Sequence, residues 1–346
     1  MSRFNKATIK DVAEKAGVSI STVSRMLSGN YPIGDQTRQN ILNAISETNY
    51  QPNVLARSLK SGRTKMIGVV VANMANRFFM QLARGIETFV EPLEYNLIIS
   101  STYNDRKKEE RVLSMLTERA VDAIVLASSI DDPKCLEKIV TRNTPLILIE
   151  RRVPGIQADM VLEDNYASGY KLMKLVTDNG HRRIAFVNGI ESHPTTKENF
   201  AGFKSALDEK NIEIDRRYII KGDLDKTKAY EGIKKLFKTL PKEEWPTAVA
   251  SMSGLMTEST MHALRELNLR IPEDVSVVSY GELSSDLISP RITSIKQDAN
   301  RMGKKAAELV LERLEEVEKD VTNRHYREIL FGTEIVIGES IKRING

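Results

Sequence analysis

The segment TIKDVAEKAGVSISTVSR, from Thr8 to Arg25, decides how the rest of this 346-residue chain is read. Ile9, Val12, Ala13 and Ala16 recur on one helical face, Thr8 stands at the N-cap, and Asp11 follows three residues later, where a carboxylate can complete a reciprocal cap. Gly17 stops this helix. Ser19 caps a second one, Ile20 to Leu27, in which Val23, Met26 and Leu27 can turn inward while Ile20, Ser21 and Arg25 turn outward. Asp35 and Thr37 open a third helix, whose Ile41, Leu42 and Ile45 are placed to cover the first pair. The expectation is a three-helix head, about as small as stable folding allows.

The charge of the chain is concentrated in this head. Residues 1–65 hold ten Lys and Arg against four Asp and Glu, whereas the remainder holds 41 against 43. A basic segment of this kind is the electrostatic footprint of nucleic-acid binding, because Lys and Arg gain from releasing counterions condensed on a polyanion. Hydrophobic residues at 41% and charged residues at 28% give a soluble globular composition, and the length favours two or three compact units. The lone Cys135 cannot form an intrachain disulfide, and no Cys/His cluster has metal spacing, so no cofactor is expected. The N-terminus lacks the apolar core of a signal peptide and no run of about 18 apolar residues occurs, which reads as a cytoplasmic protein without membrane association.

Beyond Tyr50 and Pro52, the stretch from Asn53 to Lys60 has helical propensity but is too short to be stable alone, and Ser61-Gly62-Arg63 reads as a joint. At Lys65 the pattern changes. Met66 to Ala72 is a continuous apolar run, as in a parallel strand covered on both faces. Strands follow at Leu97–Ile99, Ala123–Leu126, Pro145–Ile149, Ile184–Val187, Tyr218–Ile220, Ala248–Ala250 and Val275–Val278. Helical stretches separate them near Phe79–Leu93, Glu109–Arg119, Tyr166–Asn179, Asn199–Lys210, Lys226–Leu240 and Met256–Leu267. Such alternation predicts doubly wound parallel sheets, and its length predicts two lobes dividing near Glu163. The fold class is thus an all-α helix-turn-helix head with a hinge helix, followed by an α/β body of two doubly wound lobes. The expected units are 1–52 for the head, 53–64 for the hinge, 65–163 plus 294–324 for the N-terminal lobe, and 164–293 plus 325–346 for the C-terminal lobe. The crevice between the lobes is the expected ligand site.

Thr8 to Arg25 closely resembles the head of the lactose-repressor (LacI/GalR) family, and later landmarks resemble that family in order and spacing: NYQPNVLARSLKSG from Asn49, IGVVV from Ile67, GHRRIA from Gly180 and IPEDVSVV from Ile271. The resemblance implies a DNA-binding transcription regulator, a repressor of a carbohydrate or related catabolic operon, that pairs as a homodimer on an inverted repeat and carries a periplasmic-binding-protein-like effector domain. It places the helix begun at Ser19 in the major groove with Ile20, Ser21 and Arg25 facing base edges. The chemistry agrees, since Arg can bond guanine O6 and N7 bidentately, Ser is permissive and Ile can touch a thymine methyl. Thr8, Ser24, Asn30 and Thr37 sit at or near helix starts and turns and are expected on phosphates, with helix capping as the alternative for Thr8 and Thr37. Asn53 to Lys60 resembles the hinge helix, ordered only on the operator, with Leu59 as a minor-groove wedge, Ala56 permitting close approach and Lys60 following the groove.

The same resemblance makes the cleft a site for a sugar or nucleobase, but three polar residues usual there are replaced: Asn199 stands for an Arg, Ser253-Gly254 for Asn-Asp, and Gly281 for an Asp. An ordinary neutral sugar held in the usual way is therefore not expected. Lys197, His193, Thr195, Thr196, Glu150 and Arg152 could supply another polar set, favouring a small polar effector such as an anionic sugar derivative held by Lys197. Asn76, Phe78 and Phe79 follow the first body strand where relatives place an aromatic against the ligand, one phenylalanine stacking and the other joining the core. Input from a protein corepressor is the second reading. No nucleophile with a neighbouring base and no Gly-rich phosphate loop supports an enzyme. If Leu59 is the wedge, Leu59→Ala reduces operator bending in a circular-permutation gel assay; undiminished bending removes that role.

Overall fold

The computed structural model describes residues 7–28, 32–50, 62–130, 133–134, 136–137, 144–285, 287–319 and 325–344, in two compact units divided after Thr64. In the first unit, helix α1 (Ile9–Ala16) carries the expected capping box: the Thr8 hydroxyl accepts from Asp11 N, and the Asp11 carboxylate accepts from Thr8 N at 2.7 Å. Those bonds hold the Asp11 carboxyl below its ordinary range. Gly17 adopts φ 66° and ends α1. Helix α2 (Ile20–Ser28) is opened by Ser19, whose Oγ accepts from Thr22 N at 3.2 Å. Helix α3 (Asp35–Thr48) has Gly34 at its N-cap, so Asp35 is its first helical residue. Val12, Ala13, Val23, Ile41 and Ala44 form the buried core, with Ile45, Met26 and Leu27 packed at its edge. Leu42, expected in that core, is exposed, because it lies about 100° round the helix from Ile41.

The second unit contains two six-stranded sheets. The first lobe runs β1 (Met66–Val71), α4 (Arg77–Val90), β2 (Asn96–Ser101), α5 (Arg106–Glu118), β3 (Ala123–Leu126), β4 (Leu146–Ile149) and β5 (Asp159–Glu163). The chain then forms α6 (Asn165–Asp178), β6 (Ile184–Asn188), α7 (Pro194–Asp208), β7 (Ile219–Lys221), α8 (Lys226–Thr239), β8 (Ala248–Ser251), α9 (Gly254–Glu266), β9 (Ser276–Tyr280) and β10 (Thr293–Lys296) in the second lobe. It returns through α10 (Ala299–Glu318) and β11 (Glu328–Phe331) to the first lobe and ends with β12 (Glu334–Val336) in the second. The sheet orders are β11-β5-β4-β3-β1-β2 and β12-β10-β9-β8-β6-β7, parallel throughout except where β12 meets β10. Strand β1 shows why the sheet is covered twice. Ile67, Val69 and Val71 pack toward α4 and α10, while Val70 packs with Leu113 and Leu116 of α5. Helices α4 and α10 approach closely because Gly85 and Gly303 lie against the opposite backbone, where a Cβ would collide with Asn300 O and Leu82 O.

Two boundaries differ from expectation. Thr293–Lys296 pairs with β9 and belongs to the second lobe, and Glu328–Phe331 pairs with β5 and belongs to the first. Strands of four residues carry too little periodicity to be assigned to a sheet from sequence. The crossings consequently fall at 164, 297–298 and 332–333. A buried ion pair anchors the returning helix: Arg313 Nε and Nη2 donate to Asp159 Oδ2 and Oδ1 at 2.5 and 3.0 Å. Removing Asp159 leaves the buried Arg313 guanidinium with only the partly exposed Glu316 as counter-charge. Asp159→Ala is accordingly expected to cost about 3–5 kcal/mol in urea unfolding; a midpoint within error of the parent would show that the pair does not hold α10 in place.

Candidate functional site

The head presents one outward face on α2. Ile20 and Ser21 are exposed, as is Arg25, while Ser24 is half-buried; at 3.6 residues per turn all four fall within an arc of about 140°. None of them belongs to the core that Val23 anchors. The Ser21 hydroxyl lies 2.7 Å from that of Ser19, so the cap and the outward face share a hydrogen-bonded cluster. Thr8 is exposed at the N-cap of α1, and Thr37 is half-buried in the first turn of α3. Both therefore lie at helix N-terminal ends, where amide N–H groups meet anions. Asn30, Asn53, Ala56, Leu59 and Lys60 lie outside the described residues.

In the body, a cavity of about 280 Å³ opens between the lobes, lined by the segments that follow the C-terminal ends of the strands. Asn76 caps α4 by accepting from Phe78 N at 3.1 Å, which brings both phenylalanines to the wall. Phe78 and Phe79 meet edge to face, with ring centroids 5.2 Å apart, and both are buried. The expectation that only one of them borders the cleft does not hold, because α4 begins at Arg77 and both rings lie in its first turn. Glu150, Asn199, Ser253 and Gly281 also line the cavity, as do Thr195 and Thr196. Ser253 is committed to capping α9, accepting from Met256 N at 3.2 Å. Gly281 has φ 91°, a backbone conformation that side-chain-bearing residues rarely adopt, and it offers the cavity only its main chain.

Lys197 is not in the wall. Helix α7 begins at Pro194, five residues earlier than the sequence pattern suggested, and the added turn carries Lys197 to the exposed side. The cation expected to hold an anionic sugar is thus absent from the cavity. Arg152 and His193 instead tie the lobes together. Arg152 Nη1 donates to Glu198 Oε1 at 2.8 Å, and its Nη2 to Glu328 Oε1 at 2.5 Å. Arg151 Nη1 lies 3.1 Å from His193 Nε2, and Arg77 Nη1 donates to Leu283 O at 3.1 Å. Burial, with the neighbouring Arg151 charge, pushes His193 down to about 4, so its ring is neutral at physiological pH.

A buried polar part of the cavity wall lies at the first crossing between lobes and was missed from the sequence. Gln297 Nε2 donates to Glu163 Oε2 at 2.5 Å, and the Tyr280 hydroxyl reaches the same oxygen at 3.4 Å and Asn165 Oδ1 at 3.0 Å. Burial raises the Glu163 carboxyl to about 7, with Glu150 reinforcing it and the Gln297 and Tyr280 bonds opposing it. Glu163 Oε1 and Asn199 Oδ1 are buried without a partner among the described residues. The polar triplet Glu163-Asp164-Asn165, directly after an apolar strand, was the available signal. Among the described residues no group of His, Cys, Asp and Glu is placed to hold a metal ion, and no helix is long and apolar enough to cross a membrane.

Residues 8–53 match the family described as bacterial regulatory proteins, lacI family, and residues 174–341 match a periplasmic binding protein-like domain. The chain is 33% identical over 342 residues to the HTH-type transcriptional repressor PurR of Vibrio vulnificus (strain CMCP6), covering 98% of this chain and 100% of that protein. Among solved structures it is similar to the transcriptional regulator CelR in complex with cellobiose, with TM-score 0.70 and 26% identity over 97% of this chain and 100% of that one. The lac repressor dimer bound to operator and the anti-inducer ONPF shares the fold at TM-score 0.81 and 22% identity, covering 97% of this chain and 99% of that one.

The Glu163 environment has a measurable consequence for stability. A carboxyl at about 7 in the folded chain and 4.5 when unfolded binds its proton more tightly in the folded state. Its contribution is fully present below pH 4.5 and is lost as the pH rises through 7. Glu163→Gln, which cannot ionise, should therefore gain on the parent by about 2–3 kcal/mol between pH 5 and pH 8 in ligand-free denaturant unfolding. A difference that stays constant with pH would show that the carboxyl is not shifted.

Proposed function

The chain belongs to the lacI family of bacterial regulatory proteins, and on that premise we propose that its head reads an inverted-repeat operator as a homodimer while its cleft holds a small polar effector. It is a DNA-binding transcription repressor and not an enzyme. The observation that carries the operator reading is the outward face of α2: Ile20, Ser21 and Arg25 are exposed on a basic head and take no part in its core. Arg25 is the reader of a guanine through its paired N–H donors, Ile20 touches a thymine methyl, and Ser21 tolerates either groove edge. Thr8, Ser19, Ser24 and Thr37 set the register on phosphates. Asn30 and the hinge residues Asn53, Ala56, Leu59 and Lys60 are assigned to DNA on sequence resemblance alone.

The effector reading rests on the cavity at the strand C-termini, with Asn76, Phe78, Phe79, Glu150, Asn199, Ser253 and Gly281 on its wall. The CelR relative was solved as a cellobiose complex, which supports a carbohydrate-like effector and a carbohydrate or related catabolic operon for this chain. A sugar acid held by Lys197 has no support in the cavity. The arginine bridges between lobes describe one arrangement of the cleft, and an effector shifts the protein toward or away from it only through unequal affinity for the two arrangements. Because its proposed site of action is the genome, we infer a cytoplasmic location. Selection of bound sequences from random duplexes should return a two-fold symmetric site. Arg25→Ala should then lose about 1–3 kcal/mol of discrimination at one position per half-site while keeping nonspecific binding. Recovery of no enriched sequence, with or without a metabolite pool, would overturn the operator reading.

A further inference from the structure

The lobes are closed on one another in this structure, since Arg152 Nη1 donates to Glu198 and Arg151 Nη1 meets His193 Nε2 across the cleft. In that arrangement Glu163, the last residue of β5 in the first lobe, is held by groups from beyond it. Tyr280 ends β9 in the second lobe, and Gln297 stands where the chain crosses back after β10. The residue is only 5% exposed. The groups that surround its carboxyl are neutral or acidic: the Tyr280 phenol from β9, the Gln297 amide from the crossing, Asn165 from the start of α6 and Glu150 from the end of β4. No cation figures among the influences on it. Arg151 pairs with Glu150, Arg77 of α4 donates to Leu283 O, and Lys228 pairs with Asp223.

A carboxylate is the wrong form for such a place. Its charge has no counter-charge, and Oε1 is buried without a donor. Asn199 Oδ1 is in the same condition, its orientation fixed because Nδ2 donates to Asn165 Oδ1 and Thr195 O. A proton supplies what the cluster lacks, since it cancels the charge and turns one orphan acceptor into a donor. Turning the lobes apart about their crossings draws Tyr280 away and lets water in, which restores the ordinary preference for the carboxylate. We propose that closing the cleft takes up a proton at Glu163, so that acid favours the closed arrangement of the lobes and alkali the open one. The device does not depend on what the cleft binds. A carboxyl at about 7 when closed in and 4.5 when hydrated changes the closed-to-open ratio about tenfold between pH 6 and pH 8. His193, at about 4, stays neutral throughout that range and contributes nothing to the change.

The test is double electron–electron resonance on the full-length protein without ligand or DNA. Spin labels go on Lys107→Cys and Thr227→Cys in a Cys135→Ser background; both sites are exposed, in the first turns of α5 and α8, beside loops of the cavity wall. From pH 6 to pH 8 the ratio of the longer to the shorter inter-lobe distance is expected to grow about tenfold. Glu163→Gln should hold the parent's pH 6 distribution at both values. Tyr280→Phe, which removes a hydrogen bond favouring the carboxylate, should move the midpoint to higher pH, and it decides the matter if Glu163→Gln does not fold. Difference infrared spectra should show a protonated-carboxyl band at pH 6 that is lost at pH 8 and is missing from Glu163→Gln. A distance distribution that ignores pH, a response that survives Glu163→Gln, a Tyr280→Phe midpoint equal to the parent's, or no such band overturns the inference.

Discussion

The chain passes between the two lobes at three neighbouring points, and the polar cluster around Glu163 sits at the first of them. Everything else in the body follows from that constraint. Three strands of backbone side by side permit the lobes to turn about one line but not to slide apart. At that line the Glu163 carboxylate is held by Tyr280 and Gln297, the former at the end of β9 and the latter just beyond β10. The cavity that these residues line therefore lies where the two halves meet.

The outer bridges have a different character. Arg152 reaches Glu198 across the cleft and Glu328 within its own lobe with all three groups partly exposed, so solvent screens both pairs and each bond adds little. Arg151 and His193 are buried, and there the guanidinium, paired with Glu150 in its own lobe, meets a neutral ring across the cleft. Bridges of this strength can be exchanged for water at little cost. They bias an equilibrium without locking it, as a protein that must answer to a ligand requires.

Much of the architecture was legible in the sequence because it is written in periodicity. The run from Met66 to Val71 is apolar at every position and could only be a strand buried on both faces, and Thr8 with Asp11 announced the first helix by its cap. What failed was local. Thr293–Lys296 and Glu328–Phe331 are too short to carry a period, and their sheet is settled by partners far away in the chain. In the cleft, Asn199, Ser253 and Gly281 were recognised by position, but Glu163, Tyr280 and Gln297 were not. Their significance arises from convergence of residues more than a hundred positions apart, which no spacing rule encodes. Lys197 failed for a single reason, an extra helical turn that moved it to the other side of α7.

In the head, the side chains that hold the three helices together and those that face outward from α2 are separate sets. Val12, Ala13, Val23, Ile41 and Ala44 do the first task, and Ile20, Ser21 and Arg25 take no part in it. Under the proposed operator reading, such a division lets point changes retarget the protein to a new address on the chromosome without eroding its ability to fold. Duplicated copies of the gene can thus drift apart in specificity one residue at a time.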